Sequence, residues 1–174
     1  MAQALRVERH ITELRRYARA LLGSHADADE LVQETLLRAL SRQHFWTHIR
    51  DLRAYLFSIL HNAYIDRVNR LRRAETDLDS VLPSLAQAPA QLASIELSDL
   101  VRAVKSLPAE QREVVLLVGV HGMSYQKTAA ILDVPIGTVM SRLSRGRAAL
   151  YRMTEGSAPA SGQRASLDNH SDIN

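Results

Sequence analysis

Ser141, Arg142, Ser144 and Arg145 share one side of a stretch whose other side carries Val139, Leu143 and Leu150 at helical spacing. Hydroxyls and guanidinium forks on a helix face can reach base edges and phosphates in a DNA major groove. An arginine does so through paired bonds to guanine O6 and N7. From Val134 to Thr154 there are four arginines and no acid. Just upstream, Ser124 is a good N-cap for a short helix through Tyr125 and Ala129 to Leu132. Asp133-Val134-Pro135 breaks that helix, because proline has no N–H to donate and clashes with the preceding turn. Two short helices around a tight turn, the second studded with Arg and Ser, form the pattern of a DNA-reading helix-turn-helix. The competing reading is an ordinary helical hairpin with a solvated arginine face.

A second group of candidates lies earlier. Phe45, Trp46, Tyr55, Phe57 and Tyr64 are five of the chain's eight aromatics, and Arg67, Arg70, Arg72 and Arg73 follow them. Rings stack on unpaired bases while arginines meet phosphates, so the combination suits a single-stranded nucleic acid. Against this, Tyr55, Phe57 and Trp46 would serve equally well as core residues.

The elements that position these groups read as helices. His10 to Leu22 places Ile11, Leu14, Ala18, Leu21 and Leu22 on one stripe, and Gly23 is a natural stop. Ser24 or Asp27 caps a helix from Ala28 to Leu40 that buries Leu31, Val32, Thr35, Leu36 and Ala39 or Leu40. Its outer face carries Asp29, Glu30, Gln33, Glu34, Leu37 and Arg38. After a polar and aromatic connector, Leu52 to Arg73 shows a broad apolar face, Leu52 through Ile65, and a basic end. No Lys or Arg occurs between Arg73 and Arg102, where Glu75, Asp77, Asp79, Glu96 and Asp99 fall. Ile95–Ser106 and Ala109–Val120 are two further helices, the second beginning after Pro108 and ending at Gly122. The fold class expected is all-α: two small helical domains joined by a flexible acidic linker, the second containing the helix-turn-helix. The expected boundaries are 1–74, a linker at 75–94, 95–153, and a disordered tail at 154–174.

Composition narrows the function classes. With no cysteine, disulfides and thiolate zinc sites are excluded, and the seven histidines form no H-E-x-x-H pair. The first ten residues lack the apolar core of a signal peptide, and no stretch approaches a membrane span, so a cytoplasmic protein is expected. Neither a nucleophile–base pair nor a phosphate-cradling glycine loop is present. The expectation is therefore a protein that is not an enzyme and takes no cofactor, metal or small-molecule substrate.

Particular strings now add a resemblance. Asp27-Ala28-Asp29-Glu30-Leu31-Val32-Gln33-Glu34-Thr35 is similar to region two of the extracytoplasmic function (ECF) group of bacterial RNA polymerase sigma factors. Leu52 to Phe57 and His61 to Asp66 resemble that group's minus-ten helix. Leu107 to Val114, Gly122-Met123-Ser124-Tyr125 and Pro135 to Leu143 resemble its region four. The likeness spans roughly residues 10 to 152, with the linker and tail outside it, and within the group it points to members typical of alphaproteobacteria, including the general-stress type. No receiver domain precedes the sigma-like part, so a factor is expected rather than the response-regulator mimic of such factors.

The resemblance implies a role for each candidate. Asp29, Glu30, Leu31, Gln33, Glu34 and Leu37 would dock on the β′ clamp helices of core RNA polymerase, and region four would meet the β flap. Asn62 and Asp66 would line a pocket for a flipped minus-ten base, since an amide offers both donor and acceptor to a base edge. Arg67, Arg70, Arg72 and Arg73 would hold phosphates of the melted segment. Thr138, Met140, Ser141, Arg142, Ser144 and Arg145 would face the minus-thirty-five promoter DNA, Thr138 and the helix N-terminus taking a phosphate. An anti-sigma protein would mask one or more of these faces. Two positions depart from the family's habit: Met140, where Lys or Arg is frequent, and Tyr55, where tryptophan is. The rival function is a conventional helix-turn-helix regulator that binds palindromic duplex on its own.

Overall fold

The computed structural model describes residues 2–42, 49–77 and 95–155 of the 174. Helix α1 spans Ala2–Leu22, α2 His25–Ser41 and α3 Leu52–Asp77. From residue 95 on come α4 Ile95–Ser106 and α5 Ala109–Val115, a π-helical turn Leu116–Val120, α6 Tyr125–Leu132 and α7 Ile136–Glu155. The expected linker from residue 78 on, and the expected tail from residue 156 on, lie outside the described residues. Every regular element among the described residues is helical, as expected.

Local chemistry sets most boundaries. Gly23 ends α1 with φ at +75°, its N–H donating to Arg19 O at 2.8 Å. Only glycine takes that conformation without a Cβ penalty. The Ser24 hydroxyl then accepts from Asp27 N at 3.3 Å and starts α2. The Asp51 carboxylate accepts from Ala54 N at 2.9 Å and starts α3. That bond, and Lys127 beside it, hold the Asp51 carboxyl below the usual carboxylate range. Ser124 caps α6 through Lys127 N at 3.2 Å. Asp133 leaves it in the left-handed region, and Val134 N closes the turn on Ala129 O at 3.1 Å. The Pro135 carbonyl then receives the first α7 bond, from Thr138 N at 2.9 Å.

Four elements differ from their expected extents. Helix α2 begins at His25 rather than Ala28, because Ser24 rather than Asp27 is its cap. Helix α1 begins at Ala2 rather than His10, since the added segment consists of good helix formers with Val7 buried. Helix α3 runs four residues past Arg73 into the acidic stretch. The helix expected over 109–120 widens into a π turn at Leu116, and His121 N bonds to Leu116 O at 2.9 Å.

Tyr17, Leu14, Leu31, Leu56, Phe57 and Leu60 are fully buried where α1, α2 and α3 meet. Val114, Leu117, Ile131, Val139 and Leu143 fill the space between α5, α6 and α7. A Cβ on Gly146 would stand 2.7 Å from Val115 Cγ2, so glycine is what lets α7 approach α5 so closely. The two sets of buried residues are continuous: α3 packs on α6, and α1 touches α4 and α5. Ile65, expected on the apolar face of α3, is exposed, while His61 is buried in that face.

Candidate nucleic-acid interface

Helix α7 is anchored by Val139 and Leu143, which turn Met140, Ser141, Ser144 and Arg145 outward. Met140 is 52% exposed. Arg145 lies along the helix, Nε donating to Ser141 O at 3.3 Å, so its fork sits beside the Ser141 hydroxyl. Thr138 is half-buried in the first turn. Arg142 differs from expectation. It is half-buried, and its guanidinium is bound to the Glu110 carboxylate of α5 at 2.7 Å. The strip that α7 offers freely is therefore Met140, Ser141, Ser144 and Arg145, and Arg142 joins it only by exchanging Glu110 for another anion.

On α3, Asn62 is exposed and faces a cleft of about 320 Å³ lined by Arg38, Ser41, Arg42 and Ile59 as well. The cleft thus holds guanidinium, hydroxyl and amide groups against one aliphatic wall. Arg38, Ser41 and Arg42 went unassigned in the sequence. Their signal was there, because positions i, i+3 and i+4 at the end of a helix share one face. Asp66 is not in the cleft lining. It binds Arg38 at 3.0 Å, and Arg38 also takes Glu34 at 2.7 Å. The Asp66 bond raises the Arg38 pKa further, fixing it as a cation.

Arg67 ties α3 to α2 through Asp27 and, at 2.8 Å, Glu30, while Arg70, Arg72 and Arg73 are exposed. On α2, Gln33, Glu30 and Leu37 are exposed, Leu37 at 70%. Asp29 pairs with Arg15 of α1 at 3.2 Å. Leu31 is a correction. It is fully buried with Ala28, Val32 and Thr35, so it holds α2 to the core and presents nothing to a partner. Phe57 and Tyr64 are likewise core, not stacking surfaces, and Tyr55 is half-buried. Phe45 and Trp46 lie outside the described residues.

Among the described residues no helix is long and apolar enough to cross a membrane. The exposed cationic and amide groups fall on two separate helices, α3 and α7, one on each side of the linker. Comparison with known proteins finds two family matches, one in each half of the chain. Residues 7–61 match the family described as the Sigma2 domain of PhyR, and residues 97–150 match Sigma-70, region 4. The chain is 40% identical to the ECF RNA polymerase sigma factor EcfG of Rhodopseudomonas palustris over 141 residues, 80% of this chain and 78% of that protein. It is 35% identical to the ECF RNA polymerase sigma factor SigM of Mycobacterium tuberculosis over 146 residues, 83% and 73% of the two. Among solved structures it resembles the sigma factor RpoE of Bartonella quintana, crystallised with the anti-sigma factor NepR. The TM-score is 0.79 and the identity 34%, covering 90% of this chain and 99% of that one.

Proposed function

The chain belongs to the ECF group of RNA polymerase sigma factors, and we propose how its residues divide that work. It is an alternative sigma factor. The exposed face of α2, with Glu30, Gln33, Glu34 and Leu37, docks on the β′ clamp helices of core polymerase, and Asp29 reinforces its charge. An acidic surface with a protruding leucine suits a groove of opposite charge. Region four contacts the β flap and lays the α7 strip in the minus-thirty-five major groove.

The Asn62 cleft receives one unstacked base of the minus-ten strand. The observation that supports this reading most is the cleft itself: an exposed amide beside two guanidiniums, in a concavity large enough for a base. Arg70, Arg72 and Arg73 hold neighbouring phosphates. Asp66 acts one step back, by fixing Arg38. The promoters served are stress-responsive, in line with the likeness to general-stress members. An anti-sigma protein masks these faces, as NepR accompanies the similar RpoE. The protein works in the cytoplasm with the polymerase, and contributes binding energy rather than chemistry.

The test is permanganate footprinting of minus-ten thymines in complexes with core enzyme. Asn62→Ala should leave recruitment to the duplex unchanged and lower thymine reactivity severalfold, since a base left without its pocket no longer offsets the few kcal/mol of unstacking. Unchanged reactivity would remove the cleft from the mechanism.

A further inference from the structure

Two large apolar side chains stand in solvent on the strip that α7 offers to DNA. Met140 is 52% exposed, and Ile136, one turn earlier on the same edge, is 42% exposed. At about 3.6 residues per turn, Met140 and Arg145 flank the outward face, and the exposed Gly137, Ser141 and Ser144 form a low floor between them. One edge of the face is thus apolar and the other cationic. Helical side chains lean towards the N-terminus, so the Met140 thioether projects over the turn that holds Ile136. A lone exposed methionine on a protein surface needs no explanation, but this pair lies where the helix meets its ligand.

The charge of the region decides the class of that ligand. Val134 to Thr154 contains four arginines and no acid, which suits a polyanion. Against duplex DNA an apolar side chain has one favourable place. The other major-groove base edges present hydrogen-bond donors and acceptors, and covering one with a thioether strips its water without replacing the bond. Thymine alone among the four bases presents a methyl group there, at C5. Methionine against that methyl removes apolar surface from water on both partners, and its unbranched, polarisable chain adapts to the contact.

We propose that Met140 is a thymine reader: its terminal methyl packs on the C5-methyl of one A·T pair in the minus-thirty-five element, with Ile136 extending the apolar edge. The proposal rests on the sigma function above and supplies part of its sequence preference. At this position the factor selects a methyl group, not a pattern of donors and acceptors. Arg145, on the opposite edge, supplies hydrogen bonds.

The test uses holoenzyme assembled from core enzyme and the full chain, with duplexes randomised over the minus-thirty-five region. The wild type should enrich thymine at one position, and Met140→Ala should lose the preference there while keeping the others. Duplexes carrying thymine, uracil, cytosine or 5-methylcytosine at that position are then compared by competition binding. Thymine differs from uracil, and 5-methylcytosine from cytosine, by one methyl group alone. Wild-type holoenzyme should favour the methylated member of each pair by about fourfold, the equilibrium equivalent of burying one methyl group. Met140→Ala should bind both members equally, and Met140→Leu, which keeps an apolar tip, should retain the preference.

An equal methyl effect in wild type and Met140→Ala, or no effect in the wild type, overturns the proposal. Loss of core-polymerase affinity in Met140→Ala would overturn it too, by placing this edge against protein. Should the holoenzyme enrich no element, the sigma reading fails. The same four bases, placed in a duplex selected by the chain alone, then still decide the methyl contact, and a chain that selects no duplex overturns both.

Discussion

His121 shows how much one side chain's surroundings can decide. Burial among Tyr17 and Phe57 lowers its pKa from 6.5 to about 4, and the neighbouring cations Arg53 and Arg16 push the same way, against Glu13. The imidazole is therefore neutral where it is buried and recovers its ordinary basicity when the chain unfolds. A depressed histidine contributes stability that is fully present above its unfolded pKa. That stability is lost as pH falls from about 6.5 towards 4, because only the unfolded form takes up the proton. At pH 5 this residue should move the folding equilibrium towards the unfolded form by roughly 10- to 30-fold relative to pH 7.5. Denaturant unfolding measured across that range checks this. In His121→Phe, whose ring fills the same aromatic gap, this part of the response should vanish. An identical pH profile in that variant would assign the titration to another group.

Among the elements, α6 and α7 were the most legible in the sequence. Ser124 and Pro135 each have a local backbone reason to stand where a helix starts, and such reasons survive folding unchanged. The same holds for Gly23 and Ser24 between α1 and α2. Partners across helices were not legible. Periodicity gives the side of a helix on which an arginine lies, but not which acid of another helix it meets. Thus Arg142 looked free, yet it holds Glu110, and Arg67 looked like a phosphate ligand, yet it bridges Asp27 and Glu30. Leu31 belonged by period to the buried stripe of α2, and the structure places it there despite the docking role implied by resemblance. The cleft was half legible: Asn62 was singled out on α3, but nothing local ties it to the far end of α2. These findings grade the two α7 arginines. Arg145→Ala should reduce discrimination for the minus-thirty-five element by roughly tenfold, within the ~1–3 kcal/mol of a good base contact. Arg142→Ala should cost less, because the wild-type residue must first leave Glu110. Fluorescence anisotropy on matched and mutated duplexes checks the order, with core-polymerase affinity unchanged in both. Equal losses would mean that the Glu110 pair offers no resistance.

For the whole molecule, the division into two helical groups was readable from one compositional shift, the basic stretches on either side of the acidic window between Arg73 and Arg102. Their closure on each other was not, because it depends on single residues scattered over the chain: Tyr17, Arg53, His61, Glu113, His121. None of these marks itself as an interface residue in sequence, and His61 and Glu113 would each pass for surface polar groups. The central claim, that this chain makes core polymerase promoter-specific, has a direct measurement. Purified protein and core enzyme are supplied with a pool of linear genomic fragments, and the transcripts are mapped at their 5′ ends. The account predicts start sites that appear only when both are present, preceded by shared sequence near minus ten and minus thirty-five, with duplex opening at the former. No such transcripts, together with tight binding of a palindromic duplex by the protein alone, would contradict it.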